Sequence, residues 1–224
     1  MPSIERVVIA AAGLGSRLGH GIPKCLVEVN GQTLIERQLK LLAPIGDIHV
    51  VVGYMEQAVI DAVRRINEDV IFVRNPRYRE TTTQDSYALG ARDVSGSCLF
   101  LDADIIFQAA SLSEFLKFAS TRRLAIGVTA TKTDHAVFAI TRDGDDGELE
   151  ITSFSSEPAP LEWANIVYAP SDSFGHGRGA VFETLQTMLP APAKQIVCYE
   201  IDTEADLDRA RGFVERQLER TVFA

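Results

Sequence analysis

The chain has 224 residues, of which 46% are hydrophobic and 24% charged, the balance of a soluble globular protein with enough apolar residues for a sizeable core. Its 22 basic and 31 acidic residues leave a net charge of -9, which argues against duplex nucleic acid as a partner, because that surface calls for a basic face. A small anionic ligand held by a few placed cations remains compatible with that charge.

The elements alternate. "RVVIAAA" reads as a buried strand, and "QTLIERQLKLL" as a helix whose stripe is Leu34, Ile35, Leu39 and Leu42. "IHVVVG" is the next strand, and "MEQAVIDAVRRI" a helix with Val59, Ile60 and Val63 at helical spacing. "VIFVRNP" is a strand stopped by Asn75 and Pro76, and "TTQDSYALGAR" a helix with threonines able to cap its start. "SCLFLDADI" is a strand and "SLSEFLKFAS" a helix. This order, up to about residue 120, predicts a mainly parallel sheet covered by helices on both faces.

Beyond it come short β runs, "LAIGVTAT", "AVFAITRD", "GELEITSF" and "WANIVYAP", with a hairpin turn expected in "TRDGDDGELE". "GRGAVFETLQTML" restores a helix. "QIVCYEID" is a last strand and "TEADLDRARGFVERQLE" a last helix with Leu207, Ala210, Val214 and Leu218 on one face. The expectation is one domain over 1–224, with a nucleotide-binding half over 1–120, a small antiparallel lobe over 121–195, and a metal-binding strand and terminal helix over 196–224. No stretch reaches the length of a membrane span, and the start lacks the pattern of a secretory signal. Cys25, Cys98 and Cys198 show no C-x-x-C spacing, so free thiols in a reducing, cytoplasmic setting are expected.

"AAGLGSRLGHGIPK" follows the first strand directly. Glycines permit positive φ and let backbone N–H groups approach phosphate oxygens. A P-loop is excluded because no Gly-Lys pair occurs. The dinucleotide fingerprint fails at Leu18, where its third glycine belongs, and no acidic residue ends the second strand, where Gly53 and Tyr54 stand. Arg17 lies in the loop, and Lys24 follows the stiffening Pro23. A guanidinium can grip two phosphate oxygens while an ammonium acts as a point charge, so the pair suits a triphosphate.

"AAGLGSRLGHGIPKCLVEVNGQTLIERQL" resembles the signature of the small nucleotidyltransferases that activate phosphorylated small molecules with an NTP. The resemblance implies a three-layer α/β/α sandwich of the glycosyltransferase-A type with a mostly parallel mixed sheet. It places the nucleotide on Ala11, Ala12, Gly13, Leu14 and Gly15, and gives catalytic roles to Arg17 and Lys24.

Two acidic stretches follow. In "SCLFLDADIIF", Asp102 and Asp104 sit two apart past a buried strand and thus on one face. Charged carboxylates there need a partner, which can be a magnesium ion or the next turn's backbone. In "CYEIDTEADLDRA", Glu200 and Asp202 share a face, while Thr203 and Asp206 resemble a capping box. The resemblance assigns Mg²⁺ to Asp104 and Asp202 with Glu200 as a further ligand, and Asp102 to the nucleotide.

"NPRYRETTTQDSYALGA" is most similar to the cytidylyltransferases for phosphocholine, aminoethylphosphonate and related phosphorylated alcohols, and the start of the chain also resembles the inositol-phosphate cytidylyltransferases. Thr82, Thr83, Gln84 and Ser86 offer donors and acceptors for a pyrimidine edge, although Gln84, Asp85 and Tyr87 depart from the usual residues. Glu162, Trp163 and Glu183 are acceptor-binding candidates, with Tyr168 and Phe182 beside them. Trp163 serves equally as packing, and His20 is a lesser candidate for a phosphate contact.

The expected function is Mg²⁺-dependent transfer of CMP from CTP to phosphocholine, aminoethylphosphonate or a polyol phosphate, with release of pyrophosphate. The alternatives are a sugar-1-phosphate nucleotidyltransferase using UTP, dTTP or GTP, and a non-catalytic nucleotide-binding regulator. Neither nucleic acid nor membrane is expected as a partner, and a homodimer is left open.

Overall fold

The computed structural model describes residues 4–15, 18–144, 147–175 and 179–222, with side chains described up to residue 217. In chain order the elements are β1 (Arg6–Ala11), β2 (Glu28–Val29), β3 (Gln32–Thr33), α1 (Leu34–Leu42), β4 (Ile48–Val52), α2 (Glu56–Arg64), β5 (Ile71–Arg74), α3 (Thr83–Gly90), β6 (Ser97–Asp102) and β7 (Ile105–Phe107). Then follow α4 (Ala109–Ala119), β8 (Ala125–Ala130), β9 (Phe138–Asp143), β10 (Leu149–Ser155), β11 (Leu161–Pro170), α5 (Val181–Gln186), β12 (Ala191–Gln195), β13 (Cys198–Glu200) and α6 (Glu204–Val222).

Nine strands form one sheet in the order β5-β4-β1-β6-β11-β8-β12-β10-β9. β5, β4, β1 and β6 are mutually parallel. The chain steps outward from β1 through β4 to β5, then returns to place β6 on β1's other side. That reversal opens a crevice at the carboxyl ends of β1 and β6, where open α/β sheets bind ligands.

The remaining strands are mixed. β11 runs antiparallel to both β6 and β8, and β12 runs parallel to β8. The small antiparallel end expected from the sequence is the far edge of the same sheet, where β9, β10 and β12 pair. β12, "APAKQ", carries a proline that removes a donor, and the sequence pattern did not mark it as a strand.

The "SCLFLDADI" and "QIVCYEID" runs each break in two. β6 belongs to the large sheet, whereas β7 pairs with β13 in a separate two-stranded ladder, Ile105 opposite Glu200. A further backbone bond, from the Ile201 N–H to the Asp104 carbonyl at 3.0 Å, extends that ladder. Two acidic stretches far apart in the chain are thereby stitched together.

Alternation along the strands explains the layers. Val7, Ile9 and Ala11 of β1 join Leu99 and Leu101 of β6 in one core with α1, α2 and α4. Val8, Ala12, Cys98 and Phe100 face the other way, into a core with Tyr87 of α3 and Leu185 of α5. Burying each such large side chain contributes about 1.5–3 kcal/mol. A methyl group at Gly90 would stand 2.4 Å from Val8 Cγ1, so α3 sits against β1 more closely than alanine would allow. A third core gathers Leu18, Val27 and Leu34 with Leu207, Ala210, Phe213 and Val214 of α6. The α6 stripe is thus buried as its spacing predicts, and the Leu218 side chain lies outside the described residues. The three cysteines are buried and unpaired. Among the described residues, no helix is long and apolar enough to cross a membrane.

Candidate functional site

A cleft of about 640 Å³ lies over the carboxyl ends of β1 and β6. Ala11, Ala12, Gly13 and Gly15 line one side, Lys24, Asp102, Asp104 and Glu200 another, and Thr82, Thr83 and Ser86 a third. A second cavity of about 410 Å³ adjoins it, sharing Val137, Trp163 and Glu200 and adding Glu162 and Asp202.

The loop after β1 is shaped around Lys24. Gly15 has φ +62°, and a Cβ there would lie 2.8 Å from Lys24 Cγ. Glycine supplies both the left-handed backbone and the room for the lysine stem. Pro23, at φ −55° and ψ 132°, delivers the chain into the short 3₁₀ turn Lys24–Leu26. Leu18, where a dinucleotide fingerprint would need glycine, is buried against α6 and anchors the loop. The Ala103 N–H bonds the Ala10 carbonyl at 3.1 Å, tying the start of the Asp102–Asp104 turn to the end of β1.

The Lys24 ammonium bridges two carboxylates, donating to Asp104 Oδ2 at 3.1 Å and to Asp202 Oδ1. Burial would lower its pKa, but the charges and hydrogen bonds of Asp104 and Asp202 outweigh burial and hold it above the ordinary lysine value. One oxygen from each of Asp104, Glu200 and Asp202 lies within 4.8 Å of the others, the only such group among the described residues.

Asp104 Oδ1 is buried without a hydrogen-bond partner. An orphaned anionic oxygen beside two further carboxylates is a donor set that fits a hard divalent cation. Glu200 retains solvent access but is walled in by the cleft. Those walls, then the charges of Asp104, Asp202 and Asp102, push its carboxyl up to about 8. Asp102 is raised to about 7, by burial first and the Asp104 charge second.

Asp102 is held differently from Asp104. The Tyr87 hydroxyl donates to Asp102 Oδ1 at 2.7 Å, and the Gln38 amide donates to the Asp102 carbonyl at 2.8 Å and the Ile105 carbonyl at 2.9 Å. Two residues apart, the aspartates thus take different partners: the protein interior for one, Lys24 and the open cluster for the other.

Three residues outside the sequence-derived set shape the site. Tyr87, fully buried, braces Asp102. Asn165 has φ +50° in a register shift of β11, and its amide donates to Glu200 Oε2 at 2.8 Å. An asparagine inside the β run "WANIV" is the one sequence signal for this, since asparagine tolerates the left-handed region. Lys132, in the second cavity, donates to Thr129 Oγ1 at 2.7 Å and the Ala130 carbonyl at 2.8 Å.

Other candidates lie elsewhere. Leu14 is 40% exposed and absent from the lining of either cavity. The Glu183 carboxylate accepts the Ala180 N–H at 2.8 Å and caps α5, away from both linings, whereas its neighbour Phe182 lines the large cleft. Gln84 is committed to α5, donating to the Gly179 and Ala180 carbonyls. Tyr168 is buried in the core, and His20 pairs with Glu204 of α6. Trp163 lines both cavities, although its indole N–H is buried without a partner. Thr203 and Asp206 form the expected reciprocal cap of α6. Arg17 lies outside the described residues.

Comparisons with known proteins bear on the family and the fold. Residues 7–207 match the MobA-like NTP transferase domain. A 2-C-methyl-D-erythritol 4-phosphate cytidylyltransferase of Corynebacterium jeikeium (strain K411) is 41% identical over 66 residues, 30% of this chain and 24% of that protein. The choline-phosphate cytidylyltransferase of Streptococcus pneumoniae (strain ATCC BAA-255 / R6) is 33% identical over 104 residues, 44% of each chain. The chain thus spans less than half the length of these curated relatives. The solved structure of a UDP-glucose pyrophosphorylase complexed with UDP-glucose superposes with a TM-score of 0.78 at 15% identity, over 96% of this chain and 99% of the other. At that identity the likeness speaks for the α/β fold.

Proposed function

Because the chain belongs to the family of MobA-like NTP transferase domains, we propose that it transfers a nucleotidyl group, CMP from CTP, to a small phosphorylated or phosphonate acceptor. The observation that carries this reading is the Lys24 ammonium held between Asp104 and Asp202 at the junction of two cavities, beside a glycine loop able to cradle phosphates. The choice of CTP rests on the cytidylyltransferase relatives together with the Thr82, Thr83 and Ser86 wall.

The triphosphate lies along Ala11 to Gly15, where backbone N–H groups face its oxygens, and the base reaches toward Thr82, Thr83 and Ser86. The acceptor enters from the second cavity, past Trp163 and Glu162. An acceptor phosphate oxygen attacks the α-phosphorus in line, an O–P bond forms, the bond to the β-phosphate oxygen breaks, and pyrophosphate leaves. Lys24 supplies positive charge to the phosphates as charge develops, and the walls of the cleft hold the two reactants in register.

Asp104, Asp202 and Glu200 would hold Mg²⁺, which when bound neutralises phosphate charge as a Lewis acid. Asn165 fixes one Glu200 oxygen, and Tyr87 keeps Asp102 in place at the end of β6. No side chain need act as a nucleophile.

The test is pyrophosphate release from each NTP with Mg²⁺ and a panel of phosphocholine, aminoethylphosphonate, polyol phosphates and sugar 1-phosphates. Release with CTP and an alcohol phosphate or phosphonate is the expected result. Release solely with a sugar 1-phosphate and UTP, dTTP or GTP would replace this reading, and silence with every pair despite nucleotide binding would make the protein a regulator.

A further inference from the structure

The second cavity opens onto Glu200 and Asp202, so on the reading above it receives the acceptor's alcohol portion. Its charges and rings restrict what that portion can be. A quaternary or protonated amine is recognised by open aromatic faces together with an unpaired carboxylate.

Neither is open around Lys132, and Glu200 and Asp202 belong to the carboxylate cluster described above. The Tyr199 ring carries the Lys132 ammonium 5.2 Å from its centroid, and packs on Phe213 at 4.6 Å. Trp163 is only 9% exposed and sits edge-on to Phe154. Glu162, which lines the same cavity, has Lys132 Nζ 3.8 Å from one oxygen and the Lys132 backbone N–H donating to the other at 3.2 Å. The other cation on this wall, Arg209, is paired with Asp206. Lys132 itself is locked by its bonds to Thr129 and Ala130.

We propose that Lys132 is a specificity-determining residue that occupies the place an amine headgroup would take, over Tyr199 and beside Glu162, so that the acceptor is a phosphate whose alcohol portion is uncharged and hydroxylated. This rests on the nucleotidyltransferase reading. A polyol or sugar fits because hydroxyls both donate and accept, matching a wall of paired carboxylates, hydroxyls and an amide, whereas a second cation would meet the Lys132 charge at close range.

The experiment has two arms. With CTP and Mg²⁺, kcat/KM is measured for glycerol phosphate, inositol phosphate and phosphocholine in the wild type, Lys132→Met and the double variant Lys132→Met with Tyr199→Leu. The wild type is expected to favour a hydroxylated acceptor. Lys132→Met keeps an unbranched apolar stem but frees Tyr199 and Glu162, and is expected to move the ratio toward phosphocholine by about tenfold, with the double variant losing that gain.

The second arm needs no turnover: choline is titrated into each protein and followed by calorimetry and by chemical-shift changes, with circular dichroism verifying the fold. Choline should bind Lys132→Met and leave the wild type and the double variant unmoved. A wild type that prefers phosphocholine, or that binds choline as tightly as Lys132→Met, overturns the proposal. Absence of turnover with every acceptor, alongside the expected choline pattern, would sink the function while the character of the cavity stood.

Discussion

The parallel half of the sheet and its mixed half both reach the same carboxylate cluster, but they hold their contributions by different means. On the parallel side, β1 and β6 deliver the glycine loop and Asp102 at adjacent strand ends, and Lys24 arrives through a proline-stiffened turn at the far end of that loop. On the mixed side, Glu200 and Asp202 arrive through the two-stranded β7–β13 ladder, and Asn165 reaches Glu200 from a register shift in β11. A parallel strand pair with a proline-stiffened turn builds one wall, and a short antiparallel ladder with a register shift builds the other. A site assembled in this way carries its fixed cation on the first wall, and two of its three clustered carboxylates on the second.

The strongest way to break the comparison is to remove the cation. Lys24→Met is expected to lower turnover about 10²–10³-fold, the scale seen when one preorganised charge-stabilising donor is lost. Pyrophosphate release at saturating CTP and acceptor checks it, and a loss under threefold would show that the first wall does not carry the chemistry.

On the opposite wall, Asn165→Gly retains an easy positive φ but deletes the amide that fixes Glu200. Divalent-ion affinity should fall about tenfold, as is usual when a group orienting a ligand is removed. Mn²⁺ binding without nucleotide, followed by electron paramagnetic resonance, measures it. Asn165→Ala should lose the same affinity and also about 1–2 kcal/mol of stability through left-handed strain, a difference that denaturant titration of the two variants resolves.

Gly15→Ala tests the loop from within. Strain at φ +62° together with the 2.8 Å approach to Lys24 Cγ should lower stability by about 1–2 kcal/mol. The KM for CTP should rise, because the lysine stem must move. A variant with wild-type melting temperature and KM would mean that the loop tolerates a side chain there.

The smallest expected effect is a pH dependence. The Asp102 carboxyl is raised to about 7 and Glu200 to about 8, from ordinary values of 3.8 and 4.5. A folded state that binds protons more tightly than the unfolded chain is favoured at low pH, and that contribution is lost as pH rises through the folded values. In EDTA the melting temperature should therefore drift downward between about pH 4 and pH 8 on account of these groups. Added Mg²⁺ should reverse the drift and release protons on binding. Melting curves at fixed ionic strength, with EDTA or with Mg²⁺, decide it; a cluster whose Mg²⁺ stabilisation does not grow with pH would contradict this assignment of charge.

Legibility in the sequence divides along the same line as the two walls. The first strand, the glycine loop, Lys24 and the first helix stripe could all be read from a short window, because glycine placement, proline stiffening and side-chain periodicity act within a few residues, whereas Asp104 was singled out from Asp102 only by the resemblance to the nucleotidyltransferases. Asp202 and Glu200 could be named as acidic strand-end residues, but nothing local said that their strand pairs with β7. Glu183 looked equally available in sequence, yet three-dimensional packing spends its carboxylate on the start of α5. Tyr87 stood out in sequence only as a departure from the usual residues, and in the structure it is the donor that braces Asp102. Its role depends on how closely α3 approaches β6, which no periodicity reveals.

What the amino-acid sequence by itself determined was the succession of strands and helices, their buried faces and the glycine-dependent turn after β1, since each follows from short-range sterics and from which side chains water excludes. Only the tertiary structure decided that a proline-bearing segment becomes β12, that β11 lies beside β6, and that Asp104, Asp202 and Glu200 meet around Lys24. Those outcomes depend on strand pairing across long stretches of chain, where many registers satisfy the same alternating pattern, and the native one is selected by the packing of the whole sheet against its helices.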